Sequence, residues 1–183
     1  MIRVLIADDH AIVRQGIRQI LNLASDIEIV DEARNGWEVI EKVRRDGIDV
    51  LLLDMTMPGP NGVELIKRIK SDAPTLPILV LSMHAESQFA GRAINAGTSG
   101  YLTKDSEPEE LIEAIRRVGA GRYFIDPALA AKLIFGPPAR ADKPHAQLSD
   151  REYQVFILIA QGRTINEIAE SLCVSAKTIS THK

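Results

Sequence analysis

The chain has 183 residues, of which 45% are hydrophobic and 26% are charged, and its formal net charge at pH 7 is -3. These values are typical of a globular protein with one large or two small domains, and they exclude a chain that is basic throughout. A single cysteine, no apolar run near the roughly 18 residues that span a bilayer, and no signal-peptide pattern in MIRVLIADDH together predict a cytoplasmic protein without disulfides or a membrane span.

Five short runs rich in Ile, Val and Leu follow one another within residues 1–119. They are Ile2 to Ala7, Ile27 to Glu32, Asp49 to Asp54, Pro77 to Ser82 and Ser99 to Lys104. Most of these runs are continuous and not alternating, which is typical of strands buried on both faces. Segments with helical spacing lie between them. We therefore predict an α/β domain with a five-stranded, parallel, doubly wound (flavodoxin-like) sheet and right-handed crossovers.

Two helices of this domain have an apolar face that can be read from the spacing. The apolar residues of the last helix are Leu111, Ile112, Ile115 and Val118. Those of the first helix are Ile12, Ile17, Ile20 and Leu21. We expect both sets to lie against the sheet.

The sequence changes in character after residue 119. Residues Arg122 to Ile134 predict a short connecting helix beginning near Pro127, and the proline-rich segment Phe135 to Ala146 predicts an extended linker. From residue 148 the spacing is helical again, and Thr164 with Glu167 has the spacing of a capping box. We predict a first domain at 1–119, a linker at 120–147 and a small all-α helix-turn-helix domain at 148–183.

Polar side chains follow four of the predicted strands. Asp8 and Asp9 come after the first strand, Asp54 ends the third, Ser82 ends the fourth and Lys104 ends the fifth. One acid after a strand is usually a helix cap or a loop residue, but ligands of open α/β sheets bind beyond the carboxyl ends of the strands. Carboxylates gathered there repel one another unless a hard cation such as Mg²⁺ joins them. A lysine and a hydroxyl beside the metal can hold phosphoryl oxygens, and a carboxylate can be the nucleophile.

The motifs IRVLIADDH, LLLDMTMPGPNG, ILVLSMH and GYLTKD resemble those of the receiver domain of two-component response regulators, over about residues 1–119. The resemblance implies that Asp54 accepts a phosphoryl group from a histidine of a sensor kinase. It also implies that Asp9 ligates Mg²⁺ directly, that Asp8 acts mainly through water, and that Asp54 and the backbone carbonyl of Thr56 complete the protein ligands.

The resemblance also implies that three further residues respond to phosphorylation. Ser82 would bond a phosphoryl oxygen after activation, Lys104 would pair with it, and Tyr101 matches the aromatic position whose rotamer follows Ser82. Without the resemblance, Tyr101 would be interpreted as a core or surface tyrosine. Asp105 follows Lys104 where many receivers have proline, so a cis peptide bond is not assumed there.

Residues 148–183 are compatible with a three-helix adaptor or with a DNA-binding helix-turn-helix, whose last helix meets base edges. The elements LS-x-RE, AQG, N-x-EIA-x-x-L and S-x-KT-I resemble the LuxR-type DNA-binding domain, and a receiver followed by this domain is typical of the NarL/FixJ subfamily. The resemblance implies promoter DNA as a partner and a homodimer on phosphorylation. It places Lys177, Thr178 and His182 near phosphates and Ser180 and Thr181 at base-facing positions.

The same resemblance implies that the recognition helix continues beyond Lys183 and that a fourth helix follows, so we expect this helix-turn-helix domain to be incomplete. Residues 149–183 hold four basic and four acidic side chains, and this balance is unfavourable for DNA affinity, which depends on phosphate neutralisation.

Three other functions fit the sequence less well. A haloacid-dehalogenase-like phosphatase also forms an aspartyl phosphate, but it needs a second aspartate as general acid where this chain has Thr56. A dinucleotide-binding domain would need a G-x-G-x-x-G motif after the first strand. A regulator controlled by protein partners alone would not need the full set of acids, hydroxyl and lysine. We predict that the protein is not an enzyme.

Overall fold

The computed structural model describes residues 1–45, 47–83, 87–127, 129–131, 155–156, 159 and 163–171. The chain divides into two compact units, Met1–Phe135 and Gly136–Lys183. The strands of the first unit are β1 (Ile2–Ala7), β2 (Ile27–Ala33), β3 (Val50–Asp54), β4 (Ile78–Ser82), β5 (Gly100–Thr103) and β6 (Phe124–Ile125). They form one parallel sheet in the order β2-β1-β3-β4-β5-β6. The α/β class and the parallel sheet are confirmed.

Five helices connect these strands: α1 (Ala11–Leu21), α2 (Gly36–Lys42), α3 (Gly62–Asp72), α4 (Ser87–Asn95) and α5 (Pro108–Gly119). Their ends follow local chemistry. Asn35 caps α2 by accepting a hydrogen bond from the backbone N–H of Glu38 at 2.9 Å. Pro108 stands in the first turn of α5, where its missing N–H costs nothing because that group has no intrahelical partner.

The core lies on both faces of the sheet. One cluster joins Leu51, Leu53 and Val80 to α2, α3 and α4, and the other joins Leu52 and Leu81 to α1 and α5. Because successive strand residues point to opposite faces, both sides of β3 and β4 are covered and every residue of these strands is buried. This double burial is the reason why the strands are continuous apolar runs.

The sheet has a sixth strand that the sequence analysis did not predict. Phe124 and Ile125 pair in parallel with Gly100 and Tyr101 of β5. A Cβ added at Gly100 would lie 2.9 Å from the carbonyl oxygen of Phe124, so the close pairing depends on the glycine. The prediction of five strands is therefore wrong by one short strand, because two residues are too few to give a periodic pattern. Helical residues begin at Pro127, as predicted.

The predicted apolar face of α1 is also partly wrong. Ile17 and Leu21 are buried, but Ile12 is 86% exposed and the third buried residue of the helix is Arg14. At about 100° per residue, Ile12 lies roughly 140° around the helix from Ile17, whereas Arg14 shares a face with Ile17. A buried arginine must have polar partners.

In the second unit, the described helix is α6 (Ile165–Ser171), and Ile168 packs with Val155 and Ala169. The predicted capping box is confirmed, since Thr164 N donates to Glu167 Oε2 at 2.7 Å and Glu167 N donates to Thr164 Oγ1 at 3.3 Å. The predicted DNA-contacting residues lie outside the described part of the chain: Lys177, Thr178, Ser180, Thr181 and His182. Among the described helices, we find none whose length and apolar content would let it cross a membrane.

Candidate functional site

The predicted polar residues lie at one edge of the sheet. Asp8 directly follows β1, Asp54 and Ser82 are the last residues of β3 and β4, and Lys104 directly follows β5. Since these strands are parallel neighbours, their carboxyl ends point the same way. The sheet therefore brings acids from β1 and β3 next to a lysine from β5, across residues almost a hundred positions apart in sequence.

Lys104 bridges the two buried acids. Its Nζ lies 2.7 Å from Asp8 Oδ2 and 2.9 Å from Asp54 Oδ2. The side chains of Lys104, Asp8 and Asp54 are only 7%, 2% and 2% exposed. The backbone N–H of Lys104 donates to the carbonyl of Ser82 at 2.9 Å, which ties the start of the β5–α5 loop to the end of β4. The ammonium offsets part of the charge of the two acids, in a place that water barely reaches.

The charges in this bridge do not balance, because one ammonium faces two carboxylates. Burial raises the pKa of Asp54, the neighbouring Asp8 raises it further, and Lys104 only partly opposes them, so the pKa stays above the ordinary value. Burial alone would lower the pKa of Lys104, but the two carboxylates raise it above the ordinary value. The site thus has surplus negative charge that a cation can neutralise.

The loop after β3 contacts Asp54, the residue that directly precedes it. Thr56 donates its backbone N–H to Asp54 Oδ1 at 3.2 Å, and its hydroxyl lies 3.2 Å from the same oxygen. Farther along, the buried Asn61 donates its side-chain N–H to the carbonyl of Met57 at 3.0 Å. Gly62 follows with φ +56°, a left-handed conformation that glycine adopts at little cost. These contacts fix the turn that carries Thr56.

Asp9 and His10 complete the cluster. Asp9 Oδ1 is buried and makes no hydrogen bond with the described residues, although it lies 3.0 Å from His10 Nδ1. One possible ligand atom from each of Asp8, Asp9, His10 and Asp54 falls within 4.8 Å of the others. Sequence reasoning found the three acids but not His10, whose only signal was its position directly after Asp8 and Asp9. A buried carboxylate oxygen without a hydrogen bond, among other carboxylates, is the arrangement that suits a hard divalent cation.

Arg14 is a second residue that sequence reasoning missed. Its side chain is 8% exposed, its Nη1 donates to the backbone carbonyl of Asp8 at 2.8 Å, and its Nε donates to Glu32 Oε2 at 3.0 Å. Arginine in the first turns of a helix is usually solvated, so no sequence pattern indicated this contact.

Ser82 and Tyr101 occupy different surroundings. Ser82 is buried at the end of β4, at the same edge as Lys104. Tyr101 is fully buried in β5 and belongs to the core cluster that includes Ala90, Ala93 and Leu129. The structure therefore gathers Asp8, Asp9, Asp54, Ser82 and Lys104 at the edge, while Tyr101 lies within the core. The bond between Lys104 and Asp105 is trans, as are the other peptide bonds in the described ranges.

In a comparison with known proteins, the chain matches two family models. Residues 4–116 match the response regulator receiver domain, and residues 146–183 match the bacterial regulatory proteins of the luxR family. Response regulator UvrY of Escherichia coli (strain K12) is 37% identical over 185 residues, which cover 100% of this chain and 85% of UvrY.

Solved structures give the same similarity. The RcsB response regulator of Salmonella typhimurium, in a study of conformational dynamism for DNA interaction, superposes with a TM-score of 0.69 at 32% identity and covers 100% of this chain and 88% of that chain. A complex of the two-component response regulator RcsB with DNA superposes with a TM-score of 0.68 at 32% identity and the same coverage of both chains. Each similarity extends through both compact units.

Proposed function

This chain belongs to the two-component response regulators that join a receiver domain to a LuxR-type domain, and from that premise we propose that phosphorylation of Asp54 by a sensor histidine kinase controls its action on promoter DNA. The observation that carries the proposal is the bridge from Lys104 to Asp8 and Asp54. Acids from two strands and a lysine from a third would not meet at a buried edge for packing alone, because burying surplus charge costs stability.

The reaction that this site supports is phosphoryl transfer to a carboxylate. A carboxylate oxygen of Asp54 attacks the phosphorus of a phosphohistidine, a P–O bond forms, the P–N bond breaks, and the kinase imidazole leaves. The product carries about two negative charges at neutral pH. Lys104 then exchanges its contact with the Asp54 carboxylate for one with a phosphoryl oxygen, and the Ser82 hydroxyl donates to another.

Asp8, Asp9, Asp54 and the backbone carbonyl of Thr56 would hold Mg²⁺. The buried Oδ1 of Asp9, which lacks a hydrogen bond with the described residues, and the surplus negative charge of the site support this assignment. Bound there, Mg²⁺ would neutralise negative charge on the phosphoryl oxygens during transfer. His10 would stay beside the metal, because Mg²⁺ prefers oxygen ligands to imidazole nitrogen.

We assign the response to phosphorylation, which is DNA binding, to the second domain. We place the receiver at 1–119, the linker at 120–147 and the DNA-binding domain at 148–183, in a cytoplasmic protein. DNA contacts are proposed for Lys177, Thr178, Ser180, Thr181 and His182, and the similarity to RcsB, which has been solved with DNA, supports this output.

Phosphorylation would pair two receivers into a homodimer. Its two helix-turn-helix domains could then reach half-sites about one DNA turn apart. Pairing matters because one small module makes few phosphate contacts and binds DNA weakly by itself.

The proposal is tested with Asp54→Asn, which is nearly isosteric and removes the nucleophile. We expect the wild type to take up one phosphoryl group from acetyl phosphate, and to bind beryllofluoride, only when Mg²⁺ is present. Asp54→Asn should do neither while keeping its circular-dichroism spectrum. Phosphorylation of Asp54→Asn at full stoichiometry would move the acceptor elsewhere, and a wild type that releases phosphate continuously with turnover would favour a phosphatase.

A further inference from the structure

Arg14 is a buried charged residue that the phosphoryl chemistry does not use. It lies on α1, one turn after the acidic segment, and shares the buried face of that helix with Ile17 and Leu21. Its guanidinium spans two partners: the carboxylate of Glu32, the last residue but one of β2, and the backbone carbonyl of Asp8, directly after β1. A planar guanidinium can make both hydrogen bonds at once because its donors have a fixed fork geometry.

The backbone of Asp8 is held through both of its polar groups. Its N–H donates to the carbonyl of Ala33 at 3.1 Å, and its own carbonyl accepts from Arg14. The Asp8 carboxylate is held as well, by the backbone N–H of His10 at 2.7 Å and by Lys104. The carbonyl of Asp8 belongs to the peptide that links it to Asp9. The contact from Arg14 therefore fixes the orientation of the peptide that joins the two metal-binding acids.

Glu32 fixes the guanidinium in turn. It accepts hydrogen bonds from Arg14 and from Arg18. Although burial alone would raise the pKa of Glu32, these two arginines hold it below the ordinary value, so the acid is ionised at neutral pH. Within the described residues, the side chain of Arg18 donates only to Glu32. It is 51% exposed and makes no hydrogen bond with Asp8. The chain thus supplies a matched pair of arginines that share one acid and differ in contact with the site.

We propose that Arg14 is a positioning residue of the metal site, which acts through the Asp8 carbonyl to aim the carboxylates of Asp8 and Asp9 at one point, with Glu32 holding its guanidinium in place. The inference rests on the proposed Mg²⁺ site and adds the residues that preorganise it. Outer contacts of this kind orient ligands before the metal arrives, and their loss usually weakens metal binding by about 10–100-fold.

The competing explanation is that Arg14 only ties α1 to β2. In that case its removal lowers stability but leaves the affinity for Mg²⁺ unchanged once the protein is folded. The two explanations separate because a purely structural residue does not alter the local geometry of Asp8 and Asp9. A readout of that geometry without metal is the amide resonance of His10, whose N–H donates to Asp8 Oδ1.

The test measures Mg²⁺ binding to the full, metal-stripped chain by calorimetry at constant ionic strength. The variants are Arg14→Lys, which keeps the charge but loses the fork, and Arg14→Gln, which loses both. Arg18→Gln is the matched control on Glu32, and Ile17→Val is the control for loss of core packing on the same helix. Asp9→Ala tests the site itself.

We expect both Arg14 variants to bind Mg²⁺ about tenfold or more weakly, and the two controls to remain within about twofold of the wild type. The His10 amide should shift in the metal-free Arg14 variants and not in Arg18→Gln. Arg14→Lys with wild-type Mg²⁺ affinity would overturn the inference, and it decides alone if Arg14→Gln does not fold. If the wild type and Asp9→Ala bind Mg²⁺ equally, the proposed metal site fails, and the inference fails with it.

Discussion

Replacing Lys104 by methionine should destabilise the metal-free protein, by an amount that depends on pH. The methionine keeps most of the side-chain volume and removes the ammonium between Asp8 and Asp54, which approaches them at 2.7 and 2.9 Å. Removing one partner of a buried ion pair costs about 3–5 kcal/mol, because the other charge stays buried without compensation. We expect the lower end of that range, since the neighbouring Asp9 side chain is 28% exposed and water can reach the edge of the site.

The pH dependence follows from the direction of the Asp54 pKa. In the folded wild type this pKa lies above its value in the unfolded chain. The ionised Asp54 carboxylate therefore lowers the stability of the folded state above the unfolded pKa. Below the unfolded pKa this loss of stability is absent, because the carboxyl is protonated in both states. Removal of Lys104 increases this loss of stability, because no ammonium then offsets the buried carboxylate. The difference in unfolding free energy between Lys104→Met and the wild type should be largest at neutral pH and should shrink as the pH falls through the folded pKa of Asp54 towards the ordinary carboxyl range, about pH 4.

The assay is urea unfolding followed by circular dichroism, at neutral and acidic pH, in chelator and in Mg²⁺. Lys42→Met is the control, since Lys42 Nζ lies 2.6 Å from Asp31 Oδ1 and also donates to the Glu32 carbonyl, but the two side chains are 19% and 38% exposed. Solvent screening limits such a pair to about 1 kcal/mol. Mg²⁺ should stabilise every variant that keeps the site, but relative to the wild type it should reduce the deficit of Lys104→Met and leave that of Lys42→Met unchanged. Equal stability of Lys104→Met and wild type at neutral pH in chelator, or a difference that does not change with pH, would refute this account of the site.

Three further predictions follow from named contacts. Asp54→Asn should stabilise the metal-free protein at neutral pH and lose that advantage below about pH 4, as measured by urea unfolding; a destabilised variant would contradict the raised pKa of Asp54. Gly100→Ala should cost about 1–3 kcal/mol, because its Cβ would meet the Phe124 carbonyl at 2.9 Å, and hydrogen exchange should accelerate at the Phe124 amide. Limited proteolysis should cut first within 135–146 and leave a stable receiver that retains Leu129, whereas first cuts inside the sheet would oppose the two-domain organisation.

Much of the site was predictable because its signals are local. A continuous apolar run ends in an acid or a lysine, and in a parallel sheet the ends of such runs meet at one edge. That reasoning was enough to bring Asp8, Asp54 and Lys104 together. It predicted the α/β class for the same reason, since strands buried on both faces leave a periodicity that differs from that of helices.

The sequence could not assign Arg14, because a pattern of polar and apolar residues does not reveal which distant groups a polar side chain will meet. Ile12 was expected to face the core and is exposed, whereas Arg14 is buried. Arg14 is buried because Glu32, 18 residues away, and the Asp8 carbonyl both lie where its guanidinium ends. Neither partner is implied by the helix itself.

The strand β6 and the surroundings of Tyr101 were also decided by tertiary structure. Two residues carry no period, and Phe124 pairs only because Gly100 allows its carbonyl to come close. Tyr101 is fully buried, in a core cluster that also draws on Ala90 and Ala93 of α4 and on Leu129 after β6. The sequence by itself therefore determined the class of fold and the acids and lysine of the site, since both depend on order along the chain. The partners of buried polar groups and the last strand depend on distances between segments far apart in sequence, and only the packed sheet sets those distances.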